Sequence, residues 1–257
     1  NAALRTAERM REAALARDAD AFRDLLAPQF RSEDRQAVVR LELGREEWLS
    51  AGHAMLDDLS ILEIRHQVLA TRGDRLSLMR VRWTVGGETV GHSELDWLEL
   101  LEVGPDGRAV GWVAWDPDDL DAAYAELDAR YATGESALFD LVTTAMVEFR
   151  RALASRDWQA LAAVLSPDLI MHDHRPLGWE ATRGPQPYID ALRALVELAP
   201  DVRLRLDHAD ICANGYLALS TWVGAHEGGV FETPSYIVGE LDAAGRARRF
   251  DQYDLDQ

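Results

Sequence analysis

Two halves of the chain carry the same residue pattern at a nearly constant offset. Arg17-Asp18, followed by apolar residues and Pro28, returns 139 positions later as Arg156-Asp157, followed by Pro167. Gly107-Arg108-Ala109 returns as Gly245-Arg246-Ala247 at an offset of 138. Solenoid repeats are only about 20–50 residues long, so a register kept over half a chain predicts a duplicated domain. A polar group that only one copy retains then marks the better place to look for chemistry.

Composition narrows the class of protein. Two domains in 257 residues are about 125 residues each, long enough for separate cores. A net charge of −18 repels phosphate backbones, so we expect no nucleic-acid partner. No apolar run reaches about 18 residues and charges recur along residues 1–11, so we predict neither a membrane span nor a signal peptide. The single cysteine, Cys212, excludes an intramolecular disulfide and favours a cytoplasmic location.

Hydrophobic periodicity predicts the same order of elements in both halves. Helical spacing comes first, a short strand and another helix follow, and four alternating segments separated by glycine-containing turns come last. Pro28 is expected to end the second helix. Helices followed by antiparallel strands predict an α+β protein. We predict domains at 1–118 and 135–257, joined by a linker helix at 119–134.

The helix–strand motifs resemble a known family. The chain is similar to the SnoaL-like branch of the NTF2-like superfamily, in tandem. The residues that carry this resemblance are Arg17-Asp18, Phe22, Leu25-Leu26-Ala27-Pro28-Gln29-Phe30, Arg156-Asp157, Leu161, Val164-Leu165-Ser166-Pro167-Asp168-Leu169 and the stretch Asp173-His174-Arg175-Pro176-Leu177-Gly178. The resemblance implies cones, each a curved, mixed, mostly antiparallel sheet around a cavity, and an internal pseudo-dimer of the two. It fits several activities, because the superfamily contains isomerases, cyclases, dehydratases, epoxide hydrolases and inert binding modules.

Three residues of the second copy, Asp173, His174 and Asp251, are catalytic candidates, and the first copy lacks equivalents of the last two. A histidine beside a carboxylate is an acid–base pair, and the first copy has Arg35 where the second has His174. Asp251 lies among apolar and aromatic residues, and Val113 replaces it in the first copy. If both groups face the cavity, Asp251 would have a raised pKa. The alternatives are a structural network around Asp173 and a solvent-facing Asp251.

A second set of residues is predicted to contact a ligand. They are polar or aromatic residues on strands of the second copy or beside its candidate acid–base pair. They are His172, Arg175, His208, Trp222, Glu232, Tyr236 and Tyr253. Either Tyr236 or Tyr253 would bind a developing oxyanion. Core packing explains most of the aromatics equally well, and Glu232, which aligns with Glu94, also suits a cross-strand ion pair.

Cofactor and metal motifs are missing from the sequence. His172 and His174 have metal-ligand spacing on a strand, but no third ligand is evident, so we predict no metal site. There is also no glycine-rich nucleotide motif, so we expect no cofactor.

Together these features predict a cofactor-independent SnoaL-like enzyme that performs acid–base chemistry on a small hydrophobic molecule in the second domain. The first domain would be degenerate and mainly structural. The alternative is a non-catalytic ligand-sensing or interaction module of the kind that can form part of a larger regulatory protein. A purely structural scaffold is a third reading, and further self-association is open.

Overall fold

A computed structural model describes residues 1–58, 60–86, 91–176, 178–226 and 228–257. They divide into two compact units, Asn1–Tyr131 and Ala132–Gln257. Each unit combines helices with a mixed, mostly antiparallel sheet, which confirms the α+β class. The predicted turn residue Gly87 and the motif residue Leu177 lie outside the described residues.

The first unit contains six strands and four helices, the last of which extends two residues beyond the unit's end at Tyr131. In chain order its elements are α1 (Ala2–Ala16), α2 (Ala19–Asp24), β1 (Leu26–Asp34), β2 (Leu41–Gly44), α3 (Arg45–Asp58), β3 (Ser60–Arg72), β4 (Leu76–Gly86), β5 (Ser93–Val103), β6 (Ala109–Trp115) and α4 (Leu120–Thr133). The strand order is β2-β1-β6-β5-β4-β3. Strands β1 and β6 pair in parallel, and the other neighbours pair antiparallel.

The second unit repeats this arrangement. After a short 3-10 helix (Glu135–Phe139) come α5 (Asp140–Ala154), α6 (Trp158–Ala163), β7 (Leu165–Asp173), β8 (Thr182–Arg183), α7 (Pro185–Leu198), β9 (Arg203–Cys212), β10 (Gly215–His226), β11 (Gly229–Leu241) and β12 (Ala247–Tyr253). The strand order is β9-β10-β11-β12-β7-β8. Here β12 and β7 form the parallel pair.

The repeated Arg-Asp pair is a helix–helix turn. Arg17 and Arg156 adopt left-handed backbone conformations, with φ of 54° and 57°. The following aspartates cap the next helix: Asp18 accepts from the backbone N–H of Ala21, and Asp157 does the same for Ala160, both at 2.9 Å. An N-cap aspartate satisfies a backbone donor that the helix leaves unpaired. The motif is therefore conserved between the copies for its geometry.

Pro28 does not end a helix, contrary to prediction. Helix α2 already ends at Asp24, and Pro28 lies within β1. The register between β1 and β6 shifts between Leu26 and Arg31, so Pro28 occupies an irregular stretch of the ladder. A proline is tolerated there because no regular hydrogen bond needs its missing N–H.

Helix α4 packs on the first unit rather than standing apart as a linker. The Tyr124 hydroxyl donates to the Leu69 carbonyl at 3.2 Å. The almost fully buried Arg72 donates through Nε to Asp128 at 2.8 Å. The division therefore falls after Tyr131 and not on either side of a free helix. Pairing of the units as a pseudo-dimer stays a prediction. No described helix is both long and apolar enough to cross a membrane.

Candidate functional site

A cavity of about 180 Å³ lies inside the second unit. Helices α5 and α7 and one face of the sheet enclose it, and we call that face of the sheet the inner face. Most of the wall is apolar or aromatic, including Met146, Phe149, Leu206, Phe231 and Phe250. Apolar walls with a few polar groups are typical of sites for small organic ligands.

Two tyrosines supply polar atoms to this wall. Tyr188 comes from α7 and Tyr216 from β10. Burial raises the pKa of both phenols, and proximity of Tyr216 adds to the effect on Tyr188. No hydrogen bond to another described residue involves either hydroxyl. Both phenols therefore stay protonated and are available as donors to a bound molecule.

A glycine makes room for one of these rings. Gly239 pairs with Tyr216 across β10 and β11. A Cβ added at Gly239 would lie only 2.3 Å from Cζ of Tyr216. The absence of a side chain at Gly239 is therefore what allows the Tyr216 ring to lie across the neighbouring strand.

Asp173 is fully committed to hydrogen bonds beside the cavity. Its Oδ1 accepts from N and Nε of Arg175, at 3.1 and 2.9 Å. Its Oδ2 accepts from Nη2 of Arg175 and from N of Trp179, both at 2.8 Å. Burial alone would raise the pKa of Asp173, but these hydrogen bonds outweigh it and hold the pKa below its usual value. The carboxylate positions two wall residues, Arg175 and Trp179, and has no oxygen left for a proton transfer.

His174 and Asp251 lie on the opposite, outer face of the sheet, so the expected shared cavity site is not formed. Side chains alternate along a strand. Phe250 and Gln252 line the cavity, which turns Asp251 outward, and Met171 lines it, which turns His172 outward. The sequence could not determine this orientation, because strand alternation shows which side chains share a face but not which face is the inner one.

On the outer face, three of the predicted residues form a compact cluster. His174 Nε2 lies 2.9 Å and His172 Nδ1 3.6 Å from Oδ1 of Asp251. We call these three residues the His–Asp cluster. Arg249 donates through Nε to Oδ2 of Asp251 at 2.5 Å. This hydrogen bond, together with that of His174, lowers the pKa of Asp251 to about 2 although burial opposes it. The raised pKa, which was expected only if Asp251 faced the cavity, does not arise.

The other predicted ligand contacts divide between the two faces. Arg175 and Trp222 line the cavity. Strand alternation turns the remaining residues away from the cavity wall, because their neighbours along each strand occupy the inner face. Those turned away are His208, Glu232, Tyr236 and Tyr253. Glu232 pairs with Arg205 at 2.9 Å, as its cross-strand alternative proposed. Tyr236 and Tyr253 both face away from the cavity, and the Tyr253 ring stacks on His174. Neither tyrosine is therefore an oxyanion donor for a ligand in the cavity.

Comparison with known proteins places this unit in a family. Residues 146–254 match the family described as the SnoaL-like domain. The second unit is a SnoaL-like domain. For the second unit, the resemblance inferred from the sequence is thereby confirmed, and the matched residues run from within α5 to just beyond β12. No curated protein matches the chain.

Solved structures also align with the chain. An NTF2-like protein of unknown function from Burkholderia pseudomallei is 20% identical, covers 44% of this chain and 90% of its own, and has a TM-score of 0.39. An epoxide hydrolase of M. tuberculosis is 20% identical, covers 44% and 80%, and has a TM-score of 0.35. A Mycobacterium tuberculosis protein in complex with estradiol-17beta-hemisuccinate is 10% identical, covers 45% and 95%, and has a TM-score of 0.40.

The sequence reading missed the two cavity tyrosines of the SnoaL-like domain and one buried acid of the first unit. Glu99 on β5 is buried, and burial raises the pKa of its carboxyl against the opposing effect of the Trp112 and Trp97 indoles. A signal for it existed, since Glu99 occupies the same alternating face as Trp97 and Leu101. Among the described residues, no aspartate, glutamate or histidine lines the cavity of the SnoaL-like domain.

Proposed function

We propose that the SnoaL-like domain binds a small, largely apolar molecule carrying a carbonyl oxygen, and binds it without acid–base turnover. The observation that carries the proposal is an apolar cavity with two phenol donors that have no described protein partner. A hydrogen bond contributes about 0.5–1.5 kcal/mol net, so a ligand that accepts from one of these phenols gains affinity over one that does not. This corresponds to the ligand-binding alternative of the sequence analysis.

Cavity size limits the ligand. Its volume of about 180 Å³ slightly exceeds the 150 Å³ or so of an engineered cavity that binds benzene, and falls below the roughly 300–1,000 Å³ of sites for drug-sized molecules. A molecule of one or two fused rings suits this space. Its apolar body would contact residues such as Phe149, Trp222 and Phe250, and its oxygen would accept from Tyr188 or Tyr216.

Within the described part of the chain, no carboxylate or imidazole lines the cavity, and this favours binding over catalysis. None of the three acid–base candidates is available to transfer a proton to or from a ligand in this cavity, for two different reasons. Asp173 is saturated by Arg175 and Trp179, while His174 and Asp251 face the other side of the sheet. A general base must lie within hydrogen-bond reach of the proton that it removes. We therefore assign Asp173 a positioning role that fixes Arg175 and Trp179 at the cavity.

A matched pair of ligands tests the proposal. 1-Tetralone and tetralin share a bicyclic frame, but only tetralone carries a carbonyl. We expect tetralone to bind about tenfold more tightly, which corresponds to one net hydrogen bond of about 1.4 kcal/mol. Titration calorimetry or ligand-observed NMR of the full chain would measure both affinities. The double variant Tyr188→Phe/Tyr216→Phe should bind the two ligands equally.

The control is Tyr253→Phe, which removes a hydroxyl from the outer face and should leave the tetralone preference unchanged. Binding of neither ligand, or an equal preference in the wild-type chain, would contradict the proposal. A tetralone preference that survives the double substitution would contradict the roles of the two tyrosines.

A further inference from the structure

We propose that the His–Asp cluster on the outer face of the second unit binds a divalent first-row transition metal such as Zn²⁺. The ligand atoms would be Nδ1 of His172, Nε2 of His174 and Oδ1 of Asp251. This site is separate from the ligand cavity, because the cluster and the cavity lie on opposite faces of the same sheet.

Strand register brings the three ligands together. His172 and His174 are two positions apart, so both face the same side of the sheet at the end of β7. Asp251 is the direct partner of His172 in the parallel β7–β12 ladder. The third ligand that the sequence did not reveal is therefore supplied by the neighbouring strand, 79 positions away.

Distances within the cluster suit a metal ion. All three ligand atoms lie within 4.8 Å of one another. Zinc bonds of about 2.0–2.1 Å place the ligand atoms of a tetrahedral site roughly 3.3 Å apart. The distances of 2.9 and 3.6 Å from Oδ1 of Asp251 bracket that separation. Binding therefore needs the two imidazole nitrogens, which lie within 4.8 Å of each other, to approach to about 3.3 Å, and it needs loss of the proton between His174 and Asp251.

Neighbouring side chains already orient the ligands. The Tyr253 ring lies parallel to that of His174, with centroids 4.6 Å apart and an interplanar angle of 8°. Arg249 approaches Oδ2 of Asp251 at 2.5 Å and Oδ1 at 3.1 Å. The metal would displace the longer contact, while the shorter one continues to fix the carboxylate, as outer hydrogen bonds do in metal sites.

Exposure and ligand chemistry define the expected ion. The side chains of His172 and His174 are 37% and 41% exposed, so an ion can enter and keep water ligands. Two imidazoles and one carboxylate favour zinc, cobalt or nickel over magnesium and calcium, which prefer oxygen ligands alone. Three protein ligands with open positions also match the composition of zinc sites that retain a bound water.

Metal titration of the tag-free, metal-stripped full chain tests the site. We expect one equivalent of Co²⁺ to give the visible absorption of a low-coordinate complex, and Zn²⁺ to displace it. His174→Gln and Asp251→Asn should each weaken Zn²⁺ binding at least about tenfold, because each removes one of the three side chains that would bind the metal directly. His53→Gln, an exposed histidine on α3, serves as the matched control and should bind as the wild type does.

Circular dichroism of each variant would establish folding. Should Asp251→Asn unfold, His172→Gln replaces it, because that side chain is partly exposed and its loss is tolerated more easily. Failure of Co²⁺ and Zn²⁺ to bind at millimolar concentration would overturn the proposal. So would equal binding of Mg²⁺ or Ca²⁺, or wild-type affinity in the cluster variants.

Discussion

The two units share one strand register but fill their interiors differently. On the inner face, the first unit carries the larger residue at three equivalent positions. The pairs are Met79 and Ala218, Val81 and Ser220, and Trp97 and Ser235. Cross-strand partners support this equivalence, since Val81 pairs with Trp97 and Ser220 pairs with Ser235. The cavity of the second unit lies against Ala218 and Ser220, so shortened side chains are what open it.

At a neighbouring strand pair, the large and small residues are interchanged between the two units. Ser77 pairs with Leu101 in the first unit, whereas Tyr216 pairs with Gly239 in the second. The large residue of the pair therefore lies on the other strand in the second unit, and it is a tyrosine whose phenol ring lines the cavity. The duplicated fold therefore tolerates a changed interior as long as each strand pair keeps space for one large side chain.

The outer faces differ as well. In the first unit, Arg130 of α4 donates to Glu33 at 3.4 Å and lies over Gly111. Glu33 is equivalent to His172, and Gly111 is equivalent to Arg249. In the second unit this patch carries the His–Asp cluster and remains partly open to solvent. One copy thus uses the patch to dock a helix, and the other presents ionisable side chains there.

Exchanging one interior position should give the largest effect. Met79 is 1% exposed, and Met79→Ala should destabilise the first unit by about 2–5 kcal/mol, since it leaves a void in a packed core. The reciprocal Ala218→Met fills existing space, so stability should stay level or rise by up to about 1 kcal/mol while tetralone binding is lost. Hydrogen exchange resolved by unit would measure both.

Comparing these two substitutions tests whether the second interior is less tightly packed than the first. A two-domain chain need not unfold in one step, so the readout has to distinguish the units. A loss of stability in Ala218→Met as large as that in Met79→Ala would show that the second interior is as tightly packed as the first. That outcome would contradict the inferred difference between the two interiors.

The outer-face difference predicts a change in acid stability. The pKa of Asp251 is lowered to about 2 by its hydrogen bonds from Arg249 and His174. A lowered folded-state pKa contributes stability above the unfolded value near 3.8, and this contribution disappears as the pH falls towards 2. Asp251→Asn should therefore cost about 1–2 kcal/mol at neutral pH and almost nothing at pH 2, allowing for solvent around Arg249.

Denaturant unfolding at several pH values between 2 and 7 measures this difference. Asp256→Asn is the control, because Asp256 is exposed and makes no described ion pair. A cost of Asp251→Asn that is equal at pH 2 and pH 7 would mean that packing, rather than the charge, accounts for the effect.

Sequence reasoning captured the elements and the duplication but not the face on which each candidate lies. Periodicity fixed which residues alternate on β12, so Asp251 and Phe250 had to face opposite ways. Which of the two faces is inner depends on packing against α5 and α7, and that information is spread over the whole unit. The same limit hid Tyr188 and Tyr216, whose importance comes from small residues on other strands. The hydrogen bonds that saturate Asp173 with Arg175 and Trp179 could not be predicted either, because they depend on how the chain beyond β7 folds back.

The smallest expected effect concerns Glu99, whose equivalent in the second unit is Ile237. Trp97 donates through Nε1 to Glu99 at 3.4 Å, a long hydrogen bond that compensates only part of the burial. Because burial raises the folded-state pKa of Glu99, its charge costs stability once the pH rises through that pKa. Glu99→Gln keeps the shape and removes the charge. Its gain should be near zero at pH 4 and of order 1 kcal/mol at pH 8.

Thermal unfolding monitored by tryptophan fluorescence across this pH range would measure the gain. Glu94→Gln is the matched control, because Glu94 lies on the same strand with its side chain 65% exposed. A gain that is already complete at pH 4 would mean that the carboxyl group itself packs poorly. A loss at pH 8 would mean that hydrogen bonds from its two indole neighbours stabilise the charged form by more than burial destabilises it.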